Sequence, residues 1–130
     1  MLTAAWLVLL AASGWLVWTG WIMAFLPRVA LDLLSRTATT WRINLFEQVP
    51  RFIAGAAMVV RAEVSRFPDF FGIAGTFIMA SSAVLLVIPL SWHNGYAVFW
   101  ARHLPLAAVR AIAPFAVLAG AALAWAASGG

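Results

Sequence analysis

The sequence predicts an all-α integral membrane protein, and three observations carry that expectation. The 130 residues are 65% hydrophobic and 9% charged, where a soluble domain is about 45–50% apolar and about 25% charged. Mean hydropathy is +1.00, so too few charges exist to coat a water-facing surface, and apolar content is far too high for disorder. Long apolar runs end at Pro and Arg, the pattern of helical spans of about 20 residues each. These features point to one membrane domain over 1–130 with four transmembrane helices.

The first span covers about 3–26 and ends at Pro27 and Arg28. Its apolar run exceeds a signal-peptide core of about 7–15 residues, and no basic segment precedes it, so it reads as a retained span. The second, about 47–64, is the most polar. Glu47 and Arg51 lie at i and i+4 near one end, on a shared helical face where they can pair. Arg61 is placed to snorkel at the other end. The third span, about 70–88, stops at Pro89. The fourth, about 105–127, carries Arg110 one turn in and Pro114 as a kink site.

The connections differ in kind. Between the second and third spans lies a short loop with Pro68. The first connection, about 28–45, is amphipathic at 100° per residue. Ala30, Leu31, Leu34, Ala38, Trp41 and Leu45 share one arc, while Arg28, Asp32 and Arg36 form an i, i+4 charge ladder on another. The third connection, about 91–103, repeats the idea with aromatics: Trp92, Tyr96, Phe99, Trp100 and His103 form a stripe. Both predict helices lying in the headgroup layer. The order is span, surface helix, span, twice over, with Pro27 and Pro89 in matching places. That pattern suggests a duplicated unit in parallel orientation.

Charge bounds location and partners. Every basic residue is Arg, against Asp32, Glu47, Glu63 and Asp69, for a net charge of +4. The arginines flank apolar runs and form no basic stripe, so anionic lipid headgroups are the expected partner and nucleic acid is not. Arg28, Arg36, Arg42, Arg51, Arg102 and Arg110 border the long connections, against Arg61 and Arg66 on the short one. This bias puts the long connections on the cytoplasmic side of a bacterial-type inner membrane and both termini outside.

Chemistry-bearing groups are sparse. Cysteine is absent, which excludes disulfides and thiolate chemistry. No ionisable side chain falls near the centre of the first, third or fourth span, which argues against a proton-coupled pump or an ion channel. His93 and His103 point about 280° apart on a straight helix and have no neighbouring carboxylate. A single His could still ligate a haem or chlorophyll, although headgroup contact is its simpler role. Small residues mark helix contacts, Gly120 among them. Trp15, Trp18 and Trp21 lie deeper than an interfacial belt and suit either protein contact or a wall against a flat pigment or quinone.

The run Asn44, Glu47, Pro50 and Phe52 resembles the Asn-x-x-Glu-x-x-Pro-x-Phe stretch of the MAPEG family, the membrane-associated proteins of eicosanoid and glutathione metabolism. That likeness implies four spans, with Asn44 and Glu47 at a glutathione site and Arg42 and Arg51 beside it. The chain departs from the family pattern at Thr40, where the family has Arg, and at Arg42, where it has His or Gln. Tyr96 and Arg110 stand in weakly for the family's later Tyr and Arg positions. The residues themselves favour a simpler role, in which Glu47 and Arg51 anchor the span and Pro50 occupies its first turn. The expected function is therefore a non-catalytic accessory or structural subunit packing on a larger membrane complex. A MAPEG-like enzyme and a lipid- or quinone-binding protein are the alternatives.

Overall fold

A computed structural model describes residues 1–37 and 39–129. Among them are six α-helices, one 3-10 turn and no strand. The helices are α1 (Leu2–Phe25), α2 (Pro27–Ser35), α3 (Trp41–Arg61), α4 (Pro68–Val87), α5 (Leu90–His103) and α6 (Leu106–Ala127). The 3-10 turn Ala62–Val64 follows α3. Ala38, assigned above to an apolar arc, and Gly130 lie outside the described residues.

Prolines set most of the starts. Pro27 and Pro68 sit in the first turns of α2 and α4, where a missing N–H costs nothing and φ is already helical. Pro68, expected in the short loop, thus opens a helix. Pro89 and Pro105 hold the cap positions of α5 and α6.

Two expectations need correction. Three helices, α1, α4 and α6, are long and apolar enough to cross a membrane, where four were expected. The second expected span is the exception. Its helix, α3, has 21 residues, a length of about 31 Å. Yet its first three turns carry Arg42, Asn44, Glu47, Gln48 and Arg51, which dilute its apolar content. The surface helix expected over 28–45 is also shorter: α2 ends at Ser35, and residues from Trp41 onward belong to α3. Hydroxyl side chains explain the division. Ser35 and Thr39 donate to the carbonyls of Asp32 and Arg36 at 2.6 and 2.9 Å, competing with helix continuation. Thr40 then caps α3 by accepting from the Ile43 N–H at 3.2 Å.

The long helices alternate in direction and form two antiparallel pairs. In the α1/α6 pair, Gly20 meets Ala113 and Val117, and Gly120 meets Ser13 and Val17. In the α3/α4 pair, Gly55 and Gly75 face each other directly. α1 also packs on α3, and α2 packs on α5 at the opposite end from the chain termini. The apolar core lies toward the termini, around Leu9, Ala57, Met58, Phe71, Ala126 and Ala127.

All four long helices bury residues in one register. Leu9, Ser13 and Gly20 in α1 follow i, i+4, i+11, as do Phe71, Gly75 and Ser82 in α4. The same spacing recurs as Asn44, Gln48 and Gly55 in α3 and as Val109, Ala113 and Gly120 in α6. A stripe that repeats after one and three turns is the seam of closely approaching helices.

Candidate functional site

The main polar cluster lies where α3 meets α4 and α5. Asn44, Gln48 and Arg51 follow i, i+4, i+7 and share one side of α3. Asn44 is fully buried. Its Nδ2 donates to the Leu85 carbonyl at 3.1 Å. Leu85 is in the last turn of α4, where carbonyls have no partner within the helix, so Asn44 satisfies one of them. The Asn44 Oδ1 lies 3.2 Å from His93 Nδ1. That oxygen can only accept, so His93 Nδ1 is the donor in this contact.

Two turns further along, Arg51 Nη2 donates to Ser81 Oγ at 2.8 Å. Ser81 and Ser82 both donate back to the Ile78 carbonyl, at 3.1 and 2.8 Å. Gln48 sits between these contacts, buried, with Oε1 lacking any partner. The cluster is a set of amides, an imidazole, hydroxyls and one guanidinium that join three helices. Among the described residues, no group of His, Cys, Asp or Glu is arranged to hold a metal ion.

The residues of the MAPEG-like stretch do not converge. Arg42 and Arg51 are nine positions apart, about 180° around the helix, and both are exposed. Asn44 points inward with both ends of its amide engaged, and Glu47 is half-buried. His103 lies away from His93: its Nδ1 is 2.7 Å from the Phe99 carbonyl, and its ring stacks on Phe99.

The aromatic residues form outward rows. Trp18 and Trp21 stack at 5.6 Å, and Trp21 touches Phe25 at 5.2 Å. On α5, Trp100 meets Tyr96 and Phe99 edge-on, and all three are exposed, as is Trp92. Trp15 and Trp18 also wall a groove of about 430 Å³ between α1, the underside of α2 and the start of α6. Gly120, expected at a helix contact, is buried against α1 of its own chain.

Sequence reasoning missed a second polar cluster, at the end bearing the termini. Arg61, expected to snorkel into solvent, donates to the carbonyls of Ala127 and Leu2 at 2.8 and 3.2 Å. Arg66 donates to the Trp125 carbonyl at 3.2 Å and lies over the Trp125 ring at 4.4 Å. Both guanidiniums cap the final turn of α6, where carbonyls are unsatisfied and the helix dipole is negative. The signal was present: two Arg in the one short loop, and a helix ending without a basic residue of its own.

Comparison with known protein families, curated proteins and solved structures finds no match to this chain, so the likeness to the MAPEG family rests on residues 44–52 alone.

Proposed function

We propose that this chain is a non-catalytic membrane protein that serves as an accessory subunit, docking on a larger membrane assembly through its aromatic rows. One observation carries the reading. The small-residue contacts that usually join membrane helices are consumed within the chain, at Gly20, Gly55, Gly75 and Gly120. Among the exposed apolar side chains are rings grouped on two helices: Trp21 and Phe25 on α1, and Trp92, Tyr96, Phe99 and Trp100 on α5. Exposed aromatics suit both lipid and protein, and their grouping on α1 and α5, which both pack on α2, favours a docking edge. The arginine bias supports a topology with α2 and α5 on the cytoplasmic face of a bacterial inner membrane and both termini outside.

The polar residues support a scaffold more than a catalyst. Asn44 bonds to Leu85 and His93, and Arg51 bonds to Ser81, contacts that fix helices against one another. Photo-crosslinking in native membranes tests the proposal. A benzophenone amino acid at Tyr96 or Trp21 is expected to yield one discrete adduct with another membrane protein. The same probe at Ile73, exposed on α4, is expected to yield lipid adducts. Lipid adducts from all three positions would overturn the accessory reading. Calorimetric binding of glutathione that disappears in Glu47→Gln would replace it with the enzymatic one.

A further inference from the structure

The groove beneath α2 has a definite chemistry. Trp15, Trp18, Ile22 and Met23 of α1 form one wall, Ala30, Leu31 and Leu34 of α2 the roof, and Leu104 and Val109 the far side. The volume of about 430 Å³ falls within the range of small-ligand sites, about 300–1,000 Å³. Its lining is apolar apart from the Thr19 and Thr37 hydroxyls.

Charge lies beside it in the chain. Arg28 and Arg36 bracket the lining residues of α2, Arg110 follows Val109 directly, and all three are exposed. Arg42 and Arg102 are exposed at the same end. Against Asp32 on α2, which bridges Arg36 at 3.2 Å, this end is strongly basic. An apolar slot at a cationic end matches a molecule with an apolar chain and an anionic head.

The other helix pair shows that an open slot is not imposed by the architecture. There, the buried Asn44 of α3 bonds to Leu85 of α4 and His93 of α5. The residue in the same register of α6 is Val109, which makes no such bond and instead lines the groove.

We infer that the groove is a selective site for an anionic phospholipid of the surrounding bilayer. One acyl chain lies between Trp15 and Trp18 and the underside of α2. The phosphate meets Arg28, Arg36 and Arg110, since basic side chains near a membrane surface attract anionic headgroups.

Tryptophan quenching by brominated lipid tests this. The full chain is placed in phosphatidylcholine nanodiscs with a tenth of the lipid replaced by dibrominated phosphatidylglycerol or, in parallel, dibrominated phosphatidylcholine. Bulk lipid meets outward Trp residues alike whichever headgroup it carries, so the difference between the two isolates selective occupancy. Phosphatidylglycerol is expected to quench about twofold more. That excess should vanish in Trp15→Phe/Trp18→Phe, which removes the reporters, and in Arg28→Gln/Arg36→Gln, which removes charge from this end. Ala30→Phe, which fills the groove, should also abolish it. Equal quenching by the two lipids overturns the inference, as does an excess that survives Trp15→Phe/Trp18→Phe. If Ala30→Phe does not fold, the Trp and Arg variants decide.

Discussion

The α1/α6 and α3/α4 pairs are built on one plan and filled with opposite chemistry. In each, an antiparallel pair closes on glycine and buries residues at i, i+4, i+11. α6 places Val109 and Ala113 in the first two positions, where α3 places Asn44 and Gln48. The apolar pair leaves a groove under its surface helix. The polar pair ties its surface helix down through the Asn44–His93 contact. The contrast separates two jobs that one sequence stripe performs: close approach, which needs small residues, and fixation of a neighbour, which needs hydrogen bonds that lipid cannot supply.

Close approach is the shared requirement, so breaking it should cost most and cost both pairs alike. A Cβ on Gly55 would lie 2.8 Å from the Gly75 carbonyl oxygen, and one on Gly120 would lie 2.6 Å from the Ser13 carbonyl oxygen. Backbone cannot retreat without moving the whole helix. Gly55→Leu and Gly120→Leu should each destabilise by about 3 kcal/mol or more, at or beyond the upper range for overpacking. Gly14→Leu is the control, since nothing lies within 4 Å of a Cβ there. Unfolding by denaturing detergent, followed by tryptophan emission, measures all three. A loss in Gly14→Leu as large as the others would show that the effect is general and not a matter of fit.

Fixation should distinguish the pairs. Asn44→Ala strands the Leu85 carbonyl and the His93 ring, a loss of about 1–3 kcal/mol. The reciprocal change, Val109→Asn, buries an amide where no partner stands and should cost a similar amount. The double variant should regain nothing, because the two sites are in different pairs and additivity is expected. Recovery would mean that the pairs communicate.

Much of this contrast was legible in the residues. Apolar runs and prolines located α1, α4, α5 and α6 to within two residues, because lipid-facing helices need little beyond length and apolarity. The second expected span was harder. The Arg42–Arg51 segment reads as a polar helix end, and only tertiary contacts reveal that its polar side faces α4 and α5. The hydroxyl cluster Ser35, Thr37, Thr39 and Thr40 was likewise read as continuous helix, since a 100° periodicity is blind to side chains that bond their own backbone. The candidate site shows the same limit. Asn44 stood out in sequence, but His93 and Leu85 lie far along the chain, and no spacing rule joins them.

The link between the pairs gives a smaller effect. Arg61 ends α3 yet bonds to the last turn of α6 and the first of α1. Arg61→Gln should cost about 1–2 kcal/mol, the lower end for a charged hydrogen bond because the group is partly solvated. Hydrogen exchange should show the loss as faster opening of the last turn of α6, with the α3/α4 seam unchanged. Equal acceleration at both places would mean that Arg61 supports the whole bundle.

Gln48 yields the smallest expected change and the sharpest test of the polar seam. Its Oε1 is buried without a hydrogen-bond partner. An unpaired buried acceptor is a cost to the folded state, so replacing it with an apolar side chain of similar volume removes that cost while keeping the packing. Gln48→Leu should therefore change stability by less than about 1 kcal/mol, with a gain as the favoured sign. It would make α3 resemble α6, whose residue in that register is Ala113. A clear loss would show that the Gln48 amide has a donor in the membrane, such as a bound water, and that the seam is wetter than its neighbour.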